Sequence, residues 1–366
     1  MKSKTRLIIH AGMHKTGSTS IQFWLRNAKL EDAHYFNWDT PNHSTLFTLL
    51  FEEKPYEYFG LKRRGLTEKN TENQRRKALD GLIRELETTN ASIYIFSAER
   101  ISSASDNSVY EMERFFSQYF EHIDVFAYVR QPTGFMTSMF QQHLKTWGPK
   151  LKVRQLWPEY KRRFLRLDKA FGQEKVHLRR YEDLKDKKTD AVADFLDWTG
   201  VKGVGEAAVR RNTSMKSDAV ALLYVYRTYV TSDLEEKPSV SRDNQVVQEI
   251  REVGGERFIL NLPTDPDFDR KRRIGMRWIS NRMGLEINDL DEEKLGIVVF
   301  RSDADLRRAA ILASYKLDPT FSTLDPDDKG SFDETIARLR SILAKTGKPT
   351  ERAKFLVRRA TSEREV

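Results

Sequence analysis

One stretch near the start of the chain constrains its fold more than any other, and it reads Arg6-Leu-Ile-Ile-His-Ala-Gly-Met-His-Lys-Thr-Gly-Ser-Thr-Ser-Ile-Gln22. The apolar run at residues 7–9 is typical of a buried strand, and Gly12 and Gly17 favour a turn in which the backbone approaches a ligand closely. Ser18 then opens an amphipathic segment that predicts a helix. Because a helix N-terminus presents free N–H groups and a positive dipole end, this stretch predicts an anion-binding site.

Lys15 adds a positive charge to this loop, but the loop is not a Walker A motif. That motif places its lysine after the second glycine, whereas Lys15 precedes Gly17. A nucleotide-dependent phosphotransferase, which would also need Mg²⁺, is therefore kept only as an alternative. The seven histidines are scattered without the close His/Asp/Glu spacing of a metal site, so no bound metal is expected.

A second predicted strand, at residues 124–129, is followed by a positively charged residue. Arg130 follows it directly, Pro132 comes two residues later and Ser138 eight residues later, on a predicted helix. The order Gly-x-x-Lys-Thr-Gly-Ser-Thr in the first loop and this Arg, Pro and Ser spacing resemble the nucleotide-binding landmarks of sulfotransferases that use 3′-phosphoadenosine 5′-phosphosulfate (PAPS), particularly the bacterial and carbohydrate-modifying branches. Two landmarks in the right order, each at a strand-to-helix junction, are far harder to obtain by chance than either alone.

The resemblance implies an enzyme that transfers the sulfuryl group of PAPS to a hydroxyl or amine, with a carbohydrate or glycolipid as the expected acceptor. The residues that it implies for nucleotide binding are Lys15, Thr16, Gly17, Ser18, Thr19, Arg130, Ser138, Arg211, Asn212 and Ser214. Those of the first loop would hold the 5′-phosphate, the next two would hold the 3′-phosphate, and the last three would lie across the nucleotide. The lysine would also neutralise charge that grows on the oxygen between sulfur and phosphate.

Two residues are candidates for the general base that accepts the acceptor's proton. Glu99 follows a predicted strand at residues 92–97, where ligands meet open parallel sheets, and the family often carries Ser-x-Glu there. His43 lies in an aromatic-rich segment at residues 35–44 that predicts a substrate-facing loop, and an imidazole needs little pKa tuning near neutral pH. Two structural interpretations stay open: an ion pair for Glu99, and a loop merely held by its aromatic side chains.

Strands that alternate with helical segments predict an α/β fold with three layers and a mainly parallel sheet. The resemblance makes this the P-loop-NTPase-like sulfotransferase fold and covers about residues 5–230. We therefore predict a PAPS-binding core over residues 1–235. Residues 236–366 predict a mostly helical C-terminal extension of unknown role that packs on the core.

Charge leaves the class of partner open. The net charge of +9 predicts attraction to nucleotides, acidic glycans, anionic lipids or other polyanions, and a non-catalytic polyanion-binding protein is a further alternative. A basic amphipathic stretch at residues 150–169 is typical of a solvated helix face, and contact with an acidic acceptor or a membrane surface is left open. No nucleic acid partner is expected. The absence of cysteine excludes disulfides and thiolate nucleophiles and fits a cytoplasmic chain, with or without membrane association.

Overall fold

The computed structural model describes residues 4–146, 151–186, 188–206, 214–232, 240–289 and 297–345. The chain forms two compact units, and both are discontinuous in sequence. The first comprises Met1–Phe135, Pro158–Thr213 and Asp267–Asp289. The second comprises Met136–Trp157, Ser214–Pro266 and Leu290–Val366.

The strands and helices of the described residues are numbered along the chain. The strands are β1 (Lys4–His10), β2 (Lys29–Leu30), β3 (Ala33–Tyr35), β4 (Ile93–Ser97), β5 (Phe120–Val129), β6 (Val176–Arg180), β7 (Gly203–Val204), β8 (Phe258–Leu260) and β9 (Val298–Phe300). The helices are α1 (Ser18–Asn27), α2 (Ser44–Phe51), α3 (Phe59–Lys62), α4 (Glu68–Thr88), α5 (Asp106–Phe116), α6 (Pro132–Thr146), α7 (Val153–Leu156), α8 (Tyr160–Phe171), α9 (Asp183–Asp186), α10 (Ala191–Thr199), α11 (Ser217–Val225), α12 (Val240–Arg251), α13 (Pro266–Met283), α14 (Asp303–Ala313) and α15 (Ser331–Lys345).

The first unit is built on a five-stranded sheet of order β3-β4-β1-β5-β6, in which every neighbouring pair is parallel. The chain passes from β1 to β3 and β4 on one side, then crosses β1 to reach β5 on the other side. The carboxyl ends of β1 and β5 therefore flank the point where the direction of winding changes, which is where open parallel sheets bind ligands. The predicted α/β fold with a mainly parallel sheet is confirmed.

Helices cover both faces of this sheet. On one face, Ile8 of β1 is buried in a cluster with Ile21 of α1 and Phe195 of α10. On the other face, Phe96 of β4 contacts Phe116 of α5, with ring centroids 5.5 Å apart. Burying one such side chain contributes about 1.5–3 kcal/mol to stability, so both helical layers hold the sheet in place. The predicted three layers are therefore present.

The second unit is mostly helical, with one short parallel pair formed by β8 and β9. Its helix α11 buries all but one of its nine residues, as expected for a helix that is apolar on all sides. The neighbours of α11 include α12 and α14. Helix α11 lies before residue 235 in the sequence, whereas α12 and α14 lie after it, and all three belong to the second unit. The two compact units therefore divide the chain differently from the predicted boundary between residues 235 and 236.

The second half of the basic stretch at residues 150–169 lies in α8. Tyr160, Phe164 and Leu167 in this helix are all fully buried. These three side chains therefore belong to the core of the first unit, and contact of this stretch with a membrane surface stays a prediction. The described helices include none that is both long and apolar enough to cross a membrane.

Candidate active site

The loop that joins β1 to α1 continues the pairing with β5. Met13 N donates a hydrogen bond to Tyr128 O at 3.3 Å, and Tyr128 N donates one to Gly12 O at 2.9 Å. Beyond this point the backbone turns back, with φ values of 88° at Gly12, 68° at Lys15 and 79° at Gly17. The two glycines adopt this left-handed region without strain, whereas Lys15 is held in it by the surrounding loop. The chain thus makes the tight turn that the glycines predict.

Gly17 is the residue that precedes α1, and two constraints require glycine there. Its φ is positive, and a Cβ atom at this position would lie 2.5 Å from the Cβ of Ala191. No side chain caps this end of α1, and its first turn contains no acidic residue. The first N–H groups of a helix have no intrahelical partner, so α1 presents uncapped donors and a positive dipole end.

The hydroxyl groups of this loop stabilise the loop itself. Thr16 Oγ1 donates to Met13 O at 2.7 Å, and Ser18 Oγ donates to the same carbonyl oxygen at 3.3 Å. Both side chains are buried, whereas Thr19 is exposed. Backbone N–H groups are therefore the donors that this segment offers to an anion, together with the Lys15 ammonium group.

Arg130 lies directly after β5 and joins the two predicted landmarks. Its Nη1 donates to the main-chain oxygen of Lys15 at 2.7 Å, and its guanidinium lies 5.6 Å from the ring centroid of Tyr181. Burial lowers the pKa of Arg130, and the nearby charges of Glu182 and Tyr181 oppose that shift. Two sequence motifs separated by 115 residues are thus brought into direct contact.

Four further residues were assigned to the nucleotide from the sequence, and these contacts do not test them. Ser138 is in α6, in the part that belongs to the second unit, and Ser214 is an exposed residue of the same unit. Arg211 and Asn212 lie outside the described residues. The roles of these four residues stay predictions.

Glu99 follows β4, the neighbour of β1, and lies against the loop. A Cβ atom on Gly12 would be 3.3 Å from the Cα of Glu99. Burial lowers the pKa of Lys15, and the charge of Glu99 opposes this shift. Burial also lowers the pKa of His14, again opposed by Glu99. The carboxylate therefore shares its environment with Lys15 and His14, and the latter is a residue that the sequence analysis did not single out.

The alternative interpretation of Glu99 was an ion pair with a neighbouring cation. Within the described part of the chain Glu99 forms no ion pair, and the adjacent Arg100 binds the carboxylate of Glu52 through Nε at 2.6 Å and Nη2 at 3.0 Å. Glu99 is half-buried at the strand end. Its role as the general base stays a prediction.

Asn42 is a further site residue that the sequence analysis missed. Its Oδ1 accepts hydrogen bonds from Ser44 N at 2.9 Å and Ser44 Oγ at 2.6 Å. Since both donors engage the carbonyl oxygen, the amide orientation is determined, and Nδ2 donates to Glu99 Oε2 at 3.4 Å. The available signal was an asparagine two residues before a serine at a helix start, a pattern typical of an Asx turn.

The expectation that His43 lies on a loop that faces the acceptor is wrong. His43 immediately precedes α2, is fully buried and stacks on Tyr35 with ring centroids 4.5 Å apart. Its Nδ1 accepts a hydrogen bond from Ser97 N at 3.1 Å, and burial lowers its pKa to about 3. The aromatic neighbours that suggested a binding loop instead hold the imidazole in the core, where no acceptor hydroxyl reaches it.

Among the residues that the structure describes, no group of three His, Cys, Asp or Glu side chains could hold a metal ion.

No family model and no curated protein matches the chain. Solved structures with some similarity include a sulfotransferase from Alicyclobacillus acidocaldarius, with 12% identity, a TM-score of 0.38, and coverage of 62% of this chain and 92% of that chain. The sulfotransferase domain of an olefin synthase from Synechococcus PCC 7002 has 15% identity, a TM-score of 0.36, and coverage of 68% and 95%. A sulfotransferase domain from the curacin biosynthetic pathway has 11% identity, a TM-score of 0.32, and coverage of 92% and 98%. TM-scores below 0.5 at such identities are too low to assign a function, so any assignment rests on the contacts of the loop after β1.

Proposed function

We propose that this chain is a PAPS-dependent sulfotransferase that transfers the sulfuryl group to a hydroxyl or amine, with a carbohydrate or glycolipid as the acceptor class. The observation that carries the proposal is the hydrogen bond from Arg130 to the main-chain oxygen of Lys15. PAPS carries phosphate groups at both its 5′ and 3′ positions. A loop with an uncapped helix N-terminus and a half-buried arginine at the adjacent strand end supply a pair of anion sites that suits such a nucleotide.

In this proposal the 5′-phosphate binds at the N-terminus of α1. Gly17 allows the backbone to come close, the first N–H groups of α1 donate hydrogen bonds, and Lys15 supplies a full charge. The fit is chemical as well as geometric, because no side chain caps the helix and no acidic residue of its first turn would repel an anion. Thr16 and Ser18 keep the loop in shape through their bonds to Met13 O.

The 3′-phosphate is assigned to Arg130. A guanidinium group presents five N–H donors in a fixed plane, a geometry that matches the paired oxygens of a phosphate, and Arg130 bonds to Lys15 O in the loop after β1. Gly134 lies close beside it, since a Cβ atom there would be 3.3 Å from Arg130 Nε. The assignment of Ser138 to the same phosphate stays a prediction from the sequence.

The transfer step uses Glu99 and Lys15 in different roles. The acceptor oxygen forms a bond to sulfur while the bond from sulfur to the 5′-phosphate oxygen breaks, and the products are a sulfate ester and 3′,5′-ADP. Glu99 accepts the proton of the acceptor hydroxyl, and Asn42 orients its carboxylate. Lys15 stabilises the charge that develops on the departing oxygen, and the burial that lowers its pKa also strengthens this interaction.

Calorimetric titration with 3′,5′-ADP and with 5′-AMP tests the proposal directly. We expect binding at one site per chain and a clear preference for 3′,5′-ADP, because only that nucleotide carries both phosphates. Arg130→Ala should weaken 3′,5′-ADP binding at least tenfold and remove the preference, whereas the exposed Arg114→Ala is the matched control and should change neither. Binding of both nucleotides with equal affinity and steep salt dependence would instead indicate a general polyanion-binding surface and would overturn the proposal.

A further inference from the structure

A cavity of about 660 Å³ lies in the first unit beside β3, the edge strand of the sheet. Its walls come from the last turn of α1, from β3 and the residues after it, and from the second half of α4. Its lining residues do not include Lys15, Arg130 or Glu99. The proposed transfer site therefore does not account for this cavity.

The walls of the cavity carry an excess of positive charge. Arg26, Lys77 and Arg84 line it, all three are exposed, and none forms an ion pair with any residue in the described ranges. One carboxylate, that of Glu85, also belongs to the lining. The Glu85 carboxylate is not paired with any of the three cations. It accepts hydrogen bonds from His34 Nε2 at 2.5 Å and from the backbone N–H of Asn37 at 2.8 Å.

An aromatic side chain completes the chemistry of the cavity. Trp38 is half-buried in its wall, and its Nε1 donates to Thr45 Oγ1 at 2.8 Å, which fixes the plane of the ring. Asn37, Thr88 and Thr89 add amide and hydroxyl groups to the same walls. Sugar rings pack their apolar faces on aromatic rings, their hydroxyls bind amides and hydroxyls, and their carboxylate or sulfate groups bind cations.

We propose that this cavity binds the acidic end of a carbohydrate chain. The segment from residue 36 to residue 43 connects the cavity to the transfer site, since Trp38 lines the cavity and Asn42 donates to the carboxylate of Glu99. A carbohydrate held at Trp38 would extend along this segment toward Glu99. The binding site follows from the cavity alone, whereas its role in acceptor selection rests on the proposed function.

Binding of a hyaluronan tetrasaccharide, measured by calorimetry against neutral maltotetraose, tests the site without any transfer reaction. We expect the uronate-containing probe to bind and the neutral one to bind at least tenfold more weakly, because the neutral sugar offers no carboxylate to the three cations. The variant that removes the cavity charges combines Arg26→Ala, Lys77→Ala and Arg84→Ala. Its matched control removes three exposed cations of the same region that do not line the cavity, and combines Lys29→Ala, Lys69→Ala and Arg76→Ala.

The cavity variant should lose tenfold or more in affinity for the acidic tetrasaccharide, whereas the control should keep it. Trp38→Phe should abolish a fluorescence change that accompanies binding to the wild type. Equal losses in both triple variants, or no binding by the wild type, would overturn the proposal, because attraction would then follow net charge alone.

Titration with 3′,5′-ADP separates this inference from the proposed function. The cavity variant should bind 3′,5′-ADP with wild-type affinity. If binding of the acidic tetrasaccharide requires the three cations while 3′,5′-ADP binds to neither the wild type nor the variants, the cavity site is supported and the proposed function is overturned. If 3′,5′-ADP binds as expected while the cavity variant binds the tetrasaccharide with wild-type affinity, the proposed function is supported and the cavity site is overturned.

Discussion

Two loops follow parallel strands of the same sheet, residues 11–17 after β1 and residues 36–43 after β3, and they are held in different ways. The first owes its shape to the backbone, with positive φ values at Gly12 and Gly17 and hydrogen bonds to β5. The second owes its shape to side chains, since His43 is buried under Tyr35 and Asn42 bonds to the start of α2. The first loop keeps its charged residue, Lys15, half-buried, and the second places its titratable residue, His43, in the core.

The difference concerns how each loop achieves specificity. A loop whose shape is set by its backbone presents N–H groups that can bind any phosphate group. A short motif with glycines is therefore enough to specify such a loop. A loop held by side chains depends on what those side chains meet in the folded protein. Residue types alone therefore describe the first loop well and the second poorly.

The largest expected effect distinguishes the two candidate bases. Glu99→Gln should keep 3′,5′-ADP binding and lower kcat by roughly 10²- to 10⁴-fold, the range for a positioned proton acceptor. His43→Gln should leave kcat within a few-fold of the wild type in the protein that folds, because the imidazole is buried. Steady-state kinetics with PAPS and an acceptor hydroxyl measure both values. The reverse pattern would return the role of the base to His43.

Lys15→Ala tests the charge in the loop after β1. We expect kcat to fall by roughly 10²- to 10³-fold, in line with the loss of one pre-oriented group that stabilises developing charge. Thermal unfolding should stay near that of the wild type, since the Lys15 side chain is only half-buried. Lys69→Ala on the surface of α4 is the control. Near-normal turnover of a folded Lys15→Ala protein would contradict the assigned role.

Gly17→Ala tests whether the backbone of this loop is as constrained as its contacts indicate. Alanine would both adopt a left-handed conformation, which costs about 1–2 kcal/mol, and meet the Cβ of Ala191 at 2.5 Å. Gly65→Ala is a matched control, because Gly65 has a φ of 78° but no atom within 4 Å of the added Cβ. Urea unfolding should show a larger loss of stability for Gly17→Ala. Equal losses would mean that the close approach of Ala191 has no energetic effect.

The smallest effect concerns pH and the buried histidines. His10 and His43 both contact Ser97, and burial lowers the pKa of each to about 3, against 6.5 in the unfolded chain. Between these values the unfolded chain binds the proton more strongly, so stability is complete above pH 6.5 and falls as the pH drops towards 3. Each histidine should cost about 2 kcal/mol at pH 5.

Urea unfolding at pH 7 and pH 5 measures this dependence. His43→Gln removes one of the two titrating groups, so the difference in unfolding free energy between the two pH values should shrink by about 2 kcal/mol. If the unfolding free energy of His43→Gln still fell between pH 7 and pH 5 by as much as that of the wild type, His43 would not be buried in its neutral form.

These expectations also show which parts of the molecule a sequence can specify. The strand, turn and helix around Lys15 follow from local preferences: an apolar run, glycines and an uncapped helix start. The position of Glu99 follows from strand order, because it comes directly after an apolar strand. His43 could not be placed in this way, since its burial depends on Ser97 and Tyr35, and β3 and β4 bring these together only in the folded sheet.

The same reasoning applies to the side chains of the first loop and to the division of the chain. Thr16 and Ser18 were expected to hold the 5′-phosphate, and the structure shows in addition that both hydroxyl groups donate to Met13 O, three and five residues earlier. The grouping of α11 with later helices depends on the apolar surface of all its sides, which needs partners that local sequence does not identify. Local sequence patterns therefore do not show which side chains become buried against elements that are distant in the sequence.

The hydrogen bond from Arg130 to the oxygen of Lys15 has a consequence for the free energy of ligand binding. It fixes the main chain at a residue whose φ is 68°, so the loop is pre-organised and loses little conformational entropy when an anion binds. Arg130 would thus contribute to affinity twice, once as a partner of the 3′-phosphate and once by ordering the site for the 5′-phosphate. The contributions of Arg130 and Lys15 would then be non-additive, and the proposed nucleotide would be recognised at both ends as a single thermodynamic unit.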